Sequence, residues 1–154
     1  MNVSGHHTLP VPPDRAYAVL QDPVVLAKCM PGCQALERIG ENEYAMRMKM
    51  VLASMSGLFE GKVRIADAAP PTAFRLVVEG TGKIGFMRGD GLLTLTPADA
   101  GTEVRYDGTV QVGGLIASVG QRLLDTTTKM LIHRFFKNLV TDGTFTGFHA
   151  GQAP

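Results

Sequence analysis

A few residues in this chain have the side chains that chemistry uses. Cys29 and Cys33 lie four apart, with Met30, Pro31 and Gly32 between them. A zinc centre needs about four ligands, and dithiol redox motifs place two residues between the cysteines. Three intervene here, and two cysteines make no disulfide framework. The pair reads as two small buried side chains. His6 and His7 are neighbours on a strand, so they point to opposite faces and cannot share a metal. With His149 they read as surface residues, whereas His133 lies on a long helical stretch and could approach the interior. No metal and no cofactor are expected.

Gly80-Thr81-Gly82-Lys83-Ile84-Gly85 has the dinucleotide-binding spacing. That motif works where a strand leads into a helix whose N-terminus meets the phosphates. Another strand follows here, which excludes a nucleotide role. Arg88-Gly89-Asp90 and the sequon Asn2-Val3-Ser4 are chance matches in an unsecreted chain. General acid–base catalysis needs a positioned acid or base inside a pocket. Glu60, Arg75, Glu79 and Asp107 all fall on outward registers. Tyr106 is the one inward polar group, able to bond a ligand carbonyl or to sit satisfied in a core. The expectation is that the protein is not an enzyme.

The elements that position these residues follow from periodicity. Tyr44, Met46, Met48 and Met50 alternate with Ala45, Arg47 and Lys49. Phe59, Gly61, Val63 and Ile65 alternate with Glu60, Lys62 and Arg64. Phe74, Leu76 and Val78 alternate with Arg75, Val77 and Glu79. Leu93 and Leu95 alternate with Thr94 and Thr96, and Val104, Tyr106, Gly108, Val110 and Val112 with polar residues. Period two with one apolar face predicts half-buried strands. Joints such as Gly40-Glu41-Asn42 and Ala69-Pro70-Pro71 are too short for helical crossovers, so the neighbours are antiparallel. Pro12-Pro13-Asp14 opens a helix over 15–20, and Asp22-Pro23 caps and starts a second running towards Met30. Apolar residues at helical spacing predict one long helix from 115 to about 140. Residues 143–154 read as a flexible tail after a single domain over 1–142. The fold class is α+β: a curved antiparallel sheet of about seven strands wrapped around a long C-terminal helix, with two short helices after the first strand. A single sheet with an apolar face needs such a cover.

Composition excludes several classes. Hydrophobic residues are 45% and charged residues 19% of 154, which excludes a disordered chain. The formal net charge is +1, so there is no basic footprint for nucleic acid. No apolar run approaches the ~20 residues that span a bilayer. The N-terminus lacks a basic start followed by an apolar stretch, so the expected location is cytoplasmic, or peripheral at the inner face of the membrane.

Four stretches resemble a known family. They are the opening from Leu9-Pro10-Val11-Pro12-Pro13-Asp14-Arg15 to Asp22-Pro23, then Cys29-Met30-Pro31-Gly32-Cys33, then Phe59-Glu60-Gly61-Lys62-Val63-Arg64, then Val112-Gly113-Gly114-Leu115-Ile116 leading into the last helix. Together they resemble the carbon monoxide dehydrogenase G-subunit family of the START-like, helix-grip superfamily. The resemblance implies a non-catalytic accessory protein that holds an apolar ligand, a quinone or another lipid, between sheet and helix. The implied partners are the subunits of an aerobic molybdenum-dependent carbon monoxide dehydrogenase or a related hydroxylase. Longer members carry a C-terminal extension ending in an apolar segment. Here the sequence stops at Pro154, which leaves Phe145 and Phe148 for any weak membrane contact.

From the residues alone the interior is either hollow or filled. Inward glycines could bend the sheet or leave room, and methionines could plug the core or form adaptable walls. The resemblance favours a cavity, the usual form of a small-molecule site. Its expected walls are Leu26 and Met30; Met46, Met48 and Met50; Phe59 and Val63; Phe74, Leu76 and Val78; Phe86 and Leu93; Tyr106 and Val110; and Leu123 and Met130. The alternatives are a module that recruits the dehydrogenase to the membrane without carrying a ligand, and a small cyclase or lyase of the same superfamily, using Tyr106 or His133.

Overall fold

Alternation at period two becomes a single bent sheet. A computed structural model describes residues 1–141. Its strands are β1 (Asn2–Leu9), β2 (Cys33–Gly40), β3 (Glu43–Leu52), β4 (Met55–Ala69), β5 (Ala73–Gly82), β6 (Gly85–Ala98) and β7 (Gly101–Gly113). All neighbours are antiparallel, in the order β1-β7-β6-β5-β4-β3-β2. β2 to β7 form a meander, and β1 closes on the outer edge of β7. The helices α1 (Pro13–Val19) and α2 (Pro23–Cys29) link the two edge strands. Asp22 caps α2 by accepting a 2.9 Å hydrogen bond from the Val24 amide, and Pro23 occupies the first turn.

The long helix begins later than its apolar spacing predicts. Residues Leu115–Val119 form a separate 3₁₀ helix, and α3 runs over Gln121–Thr141. Gly120 between them has φ +97°, a conformation that breaks the helix and that glycine adopts without strain. The inner face of α3 is then Leu124, Thr127, Leu131, Phe135 and Leu139. The Asn138 side-chain amide donates 2.9 Å to the Cys29 carbonyl and ties α3 to the end of α2. The expected tail over 143–154 lies outside the described residues.

β4 and β5 approach closely at Gly61. A Cβ there would collide with the Glu79 carbonyl on β5, so only glycine allows this close approach. The bent sheet faces α3 with Tyr44, Met46, Met48, Phe59, Val63 and Phe74, all buried. One outward residue departs from the expected pattern. Val77, in register with Arg64 and Asp90, is only 5% exposed.

Candidate functional site: an apolar cavity between sheet and helix

Part of the inward face of β5, β6 and β7 is half-buried rather than fully buried. Leu76, Val78, Leu93, Val110 and Val112 keep residual exposure although they face the helix. The space they face is a cavity of about 310 Å³. This lies at the lower end of volumes typical of small-molecule pockets. All seven strands border it, and α2 and α3 close it.

Thirteen of the sixteen expected wall residues border this space: Leu26, Met30, Met46, Met48, Met50, Phe59, Val63, Phe74, Leu76, Val78, Leu93, Tyr106 and Val110. Three do not. Phe86 sits one residue out of phase on β6, whose inward positions are Met87, Gly89, Gly91 and Leu93. Its ring lies over Gly113 on the other face and is 47% exposed. A one-residue slip moves every side chain of a strand to the opposite face. Leu123 and Met130 fail for the analogous helical reason. Leu124 and Leu131, one position on, point inward, while Leu123 packs against the cluster of Leu52, Phe59, Ile116 and Leu124, and Met130 is 43% exposed.

Periodicity alone misses other wall residues. Met87 follows from the correct phase of β6, and Val112 borders the space on the face that alternation gives β7. Thr127, Phe135 and Phe136 follow from the true start of α3. Cys33 and Leu36 both line the cavity although three residues apart, because a register shift between Cys33 and Ala35 breaks the alternation of β2. Cys29 lies fully buried beside the core.

The wall is almost without charge. Asp90 and Asp107 border the space from outward registers of β6 and β7. Asp90 accepts 2.6 Å from Arg75 on the outer face, and Arg75 also meets Asp67. Arg88-Gly89-Asp90 is thus part of a paired strand. Cys33 and Tyr106 border the cavity from inward positions, and burial raises the pKa of both. Both are neutral at pH 7.

One expectation for the histidines is overturned. His6 and His133 are exposed, but His7 turns inward. Its ring stacks on Phe136 at 4.2 Å, with Tyr106 at 6.1 Å and His133 at 6.0 Å. Odd-numbered residues of β1 face α3, so His7 closes the seam between that edge strand and the helix. Burial first, then His133 and His6, lowers its pKa. The Tyr106 hydroxyl lies over Gly5, where a Cβ would come within 2.5 Å of it, so it points towards the β1 edge. His149 lies outside the described residues. Among the described residues no cluster of three or more metal-ligating side chains occurs. No helix there is long and apolar enough to cross a membrane.

Comparison with known proteins supports the same architecture. No curated protein matches the chain in sequence. A conserved protein from Geobacillus kaustophilus is 34% identical, with a TM-score of 0.85, over 90% of this chain and 92% of that one. The Zhui aromatase/cyclase from Streptomyces sp. R1128 is 15% identical, with a TM-score of 0.67, over 100% and 99%. Ara h 8.0201 is 17% identical, with a TM-score of 0.57, over 89% and 93%. The last two share the helix-grip fold with this chain. The sequence profile of the carbon monoxide dehydrogenase G-subunit family (CoxG) matches residues 5–142, and with it the chain belongs to that family.

Proposed function

We propose that the protein is a non-catalytic carrier of one apolar molecule, a quinone or another lipid-like compound, held between the sheet and α3. The observation that carries this reading is the cavity of about 310 Å³ with a wall of Met, Leu, Val and Phe side chains. Burying apolar surface of a ligand there gains roughly 25 cal/mol per Å². Charged groups are excluded because nothing in the wall would pair with them. Family membership supports an accessory role beside an aerobic molybdenum-dependent carbon monoxide dehydrogenase or a related hydroxylase, whose subunits are the proposed partners. Peripheral contact with a membrane is the proposed route by which such a ligand is collected.

Organic-solvent extraction of the purified protein, followed by mass spectrometry, tests the reading. A stoichiometric co-purified lipid or quinone, or uptake of added quinone, is the expected result. An empty extract together with no uptake contradicts it. Stable binding to dehydrogenase subunits by such an empty protein would favour a docking module.

A further inference from the structure

Three glycines belong to the cavity wall, Gly89 and Gly91 on β6 and Gly108 on β7. Gly91 pairs with Gly108 across the strands. The three differ in what their missing side chains serve. A Cβ at Gly108 would collide with the Asp90 carbonyl oxygen and come 2.6 Å from the Gly91 Cα. The close approach of the two strands therefore requires glycine at 108. A Cβ at Gly91 would lie 3.6 Å from the nearest atom, and one at Gly89 would lie 4.0 Å away. Both distances are ordinary contacts, and neither residue has the left-handed backbone that favours glycine. The chain's own packing has no need of glycine at 89 or 91. Glycine inside a strand weakens it and often marks a place where another body comes close to the backbone.

We propose that this bare floor seats a flat, unsaturated ring of the cargo. The proposal rests on the carrier reading above and specifies the chemistry of what is carried. Gly89 and Gly91 are two residues apart, about 7 Å along the strand, and β7 runs about 4.8 Å to the side. That area of exposed peptide planes matches the face of one ring or of two fused rings. Leu76 and Val78 in register on β5, and Val110 on β7, rise as its side walls. A flat ring meets such a floor along its whole face. A puckered or branched aliphatic group leaves gaps, and a gap of 0.5–1 Å forfeits roughly a quarter to a half of the contact energy.

The test titrates the full chain, freed of co-purified lipid, with naphthalen-1-ol, with decahydronaphthalen-1-ol and with dodecan-1-ol. The first two share a carbon skeleton, flat in one and puckered in the other. Wild-type protein is expected to bind the flat compound at least tenfold tighter than the puckered one. Gly91→Ala and Gly89→Val are expected to weaken the flat compound at least fivefold and to leave the puckered one within twofold. The unliganded Gly91→Ala protein should melt no lower than wild type. Equal affinity for the two ring compounds, unchanged naphthol binding in both variants, or a lower melting temperature for Gly91→Ala overturns the ring seat. Binding of dodecan-1-ol without naphthol overturns the ring seat and leaves the carrier reading standing. Binding of none of the three removes both.

Discussion

Single side chains in the cavity wall have distinct jobs that substitution separates. Met48 is 6% exposed and borders the cavity from the middle of β3. Met48→Asp puts an unpaired carboxylate into an apolar wall. The expected outcome is loss of apolar-ligand uptake and a lower melting temperature, measured on protein whose circular dichroism confirms that it folds. Met46→Leu keeps the volume of the wall and should cost less than ~1.5 kcal/mol with uptake retained. A folded Met48→Asp protein that still takes up ligand would remove Met48 from the wall.

His7 makes the stability of the fold depend on pH. Its pKa lies below 6.5 in the folded protein, through burial first and then through His133 and His6. As pH falls, the unfolded chain binds the proton before the folded chain does. Stability is therefore complete above the ordinary histidine value and declines below it, down to the lower folded value. The melting temperature should fall between pH 7.5 and pH 5.5, and His7→Phe should flatten that slope. An unaltered slope in His7→Phe would assign the acid sensitivity elsewhere. The inward position of His7 was readable in principle, since Leu9 on the same strand is apolar and shares its parity. An adjacent pair of histidines gives no sign of which one faces the core. The methionines of β3 were legible because charged residues alternate with them. Phe86 was not, because β6 begins with apolar residues on both faces and its inward positions include two glycines.

At the level of elements, local signals and long-range contacts divide the work. Pro23 after Asp22 places α2, and short polar joints set the antiparallel meander. Neither signal says how α3 docks. That contact includes the bond from Asn138 to the Cys29 carbonyl, which joins residues 109 apart in sequence. Asn138→Ala should lower stability by about 1 kcal/mol, the usual net worth of one such bond. Urea unfolding followed by fluorescence or circular dichroism reads it, and an unchanged midpoint would show that the bond does not hold the helix. The break at Gly120 hides the cavity face of α3 from apolar spacing. Apolar spacing continues through 115–140, while the backbone does not, so the true helical phase brings Leu124 and Leu131 inward in place of Leu123 and Met130. The shift within β2 has the same effect on Cys33 and Leu36. A bulge leaves no mark on hydrophobic alternation except its failure.

For the molecule as a whole, the seven-stranded sheet and its covering helix follow from pattern and length. The cavity does not. Its volume is what remains after distant side chains meet, and it depends on sheet bend, helix phase and bare backbone at Gly89 and Gly91 together. Those quantities are fixed only when β3, β6 and α3 face one another. The most direct test of the carrier account is native mass spectrometry of the lipid-free chain incubated with decylubiquinone. The account predicts a saturable one-to-one complex in wild type that is absent in folded Met48→Asp. A wild-type protein that stays bare at saturating quinone, and at saturating levels of other apolar ligands, would contradict it.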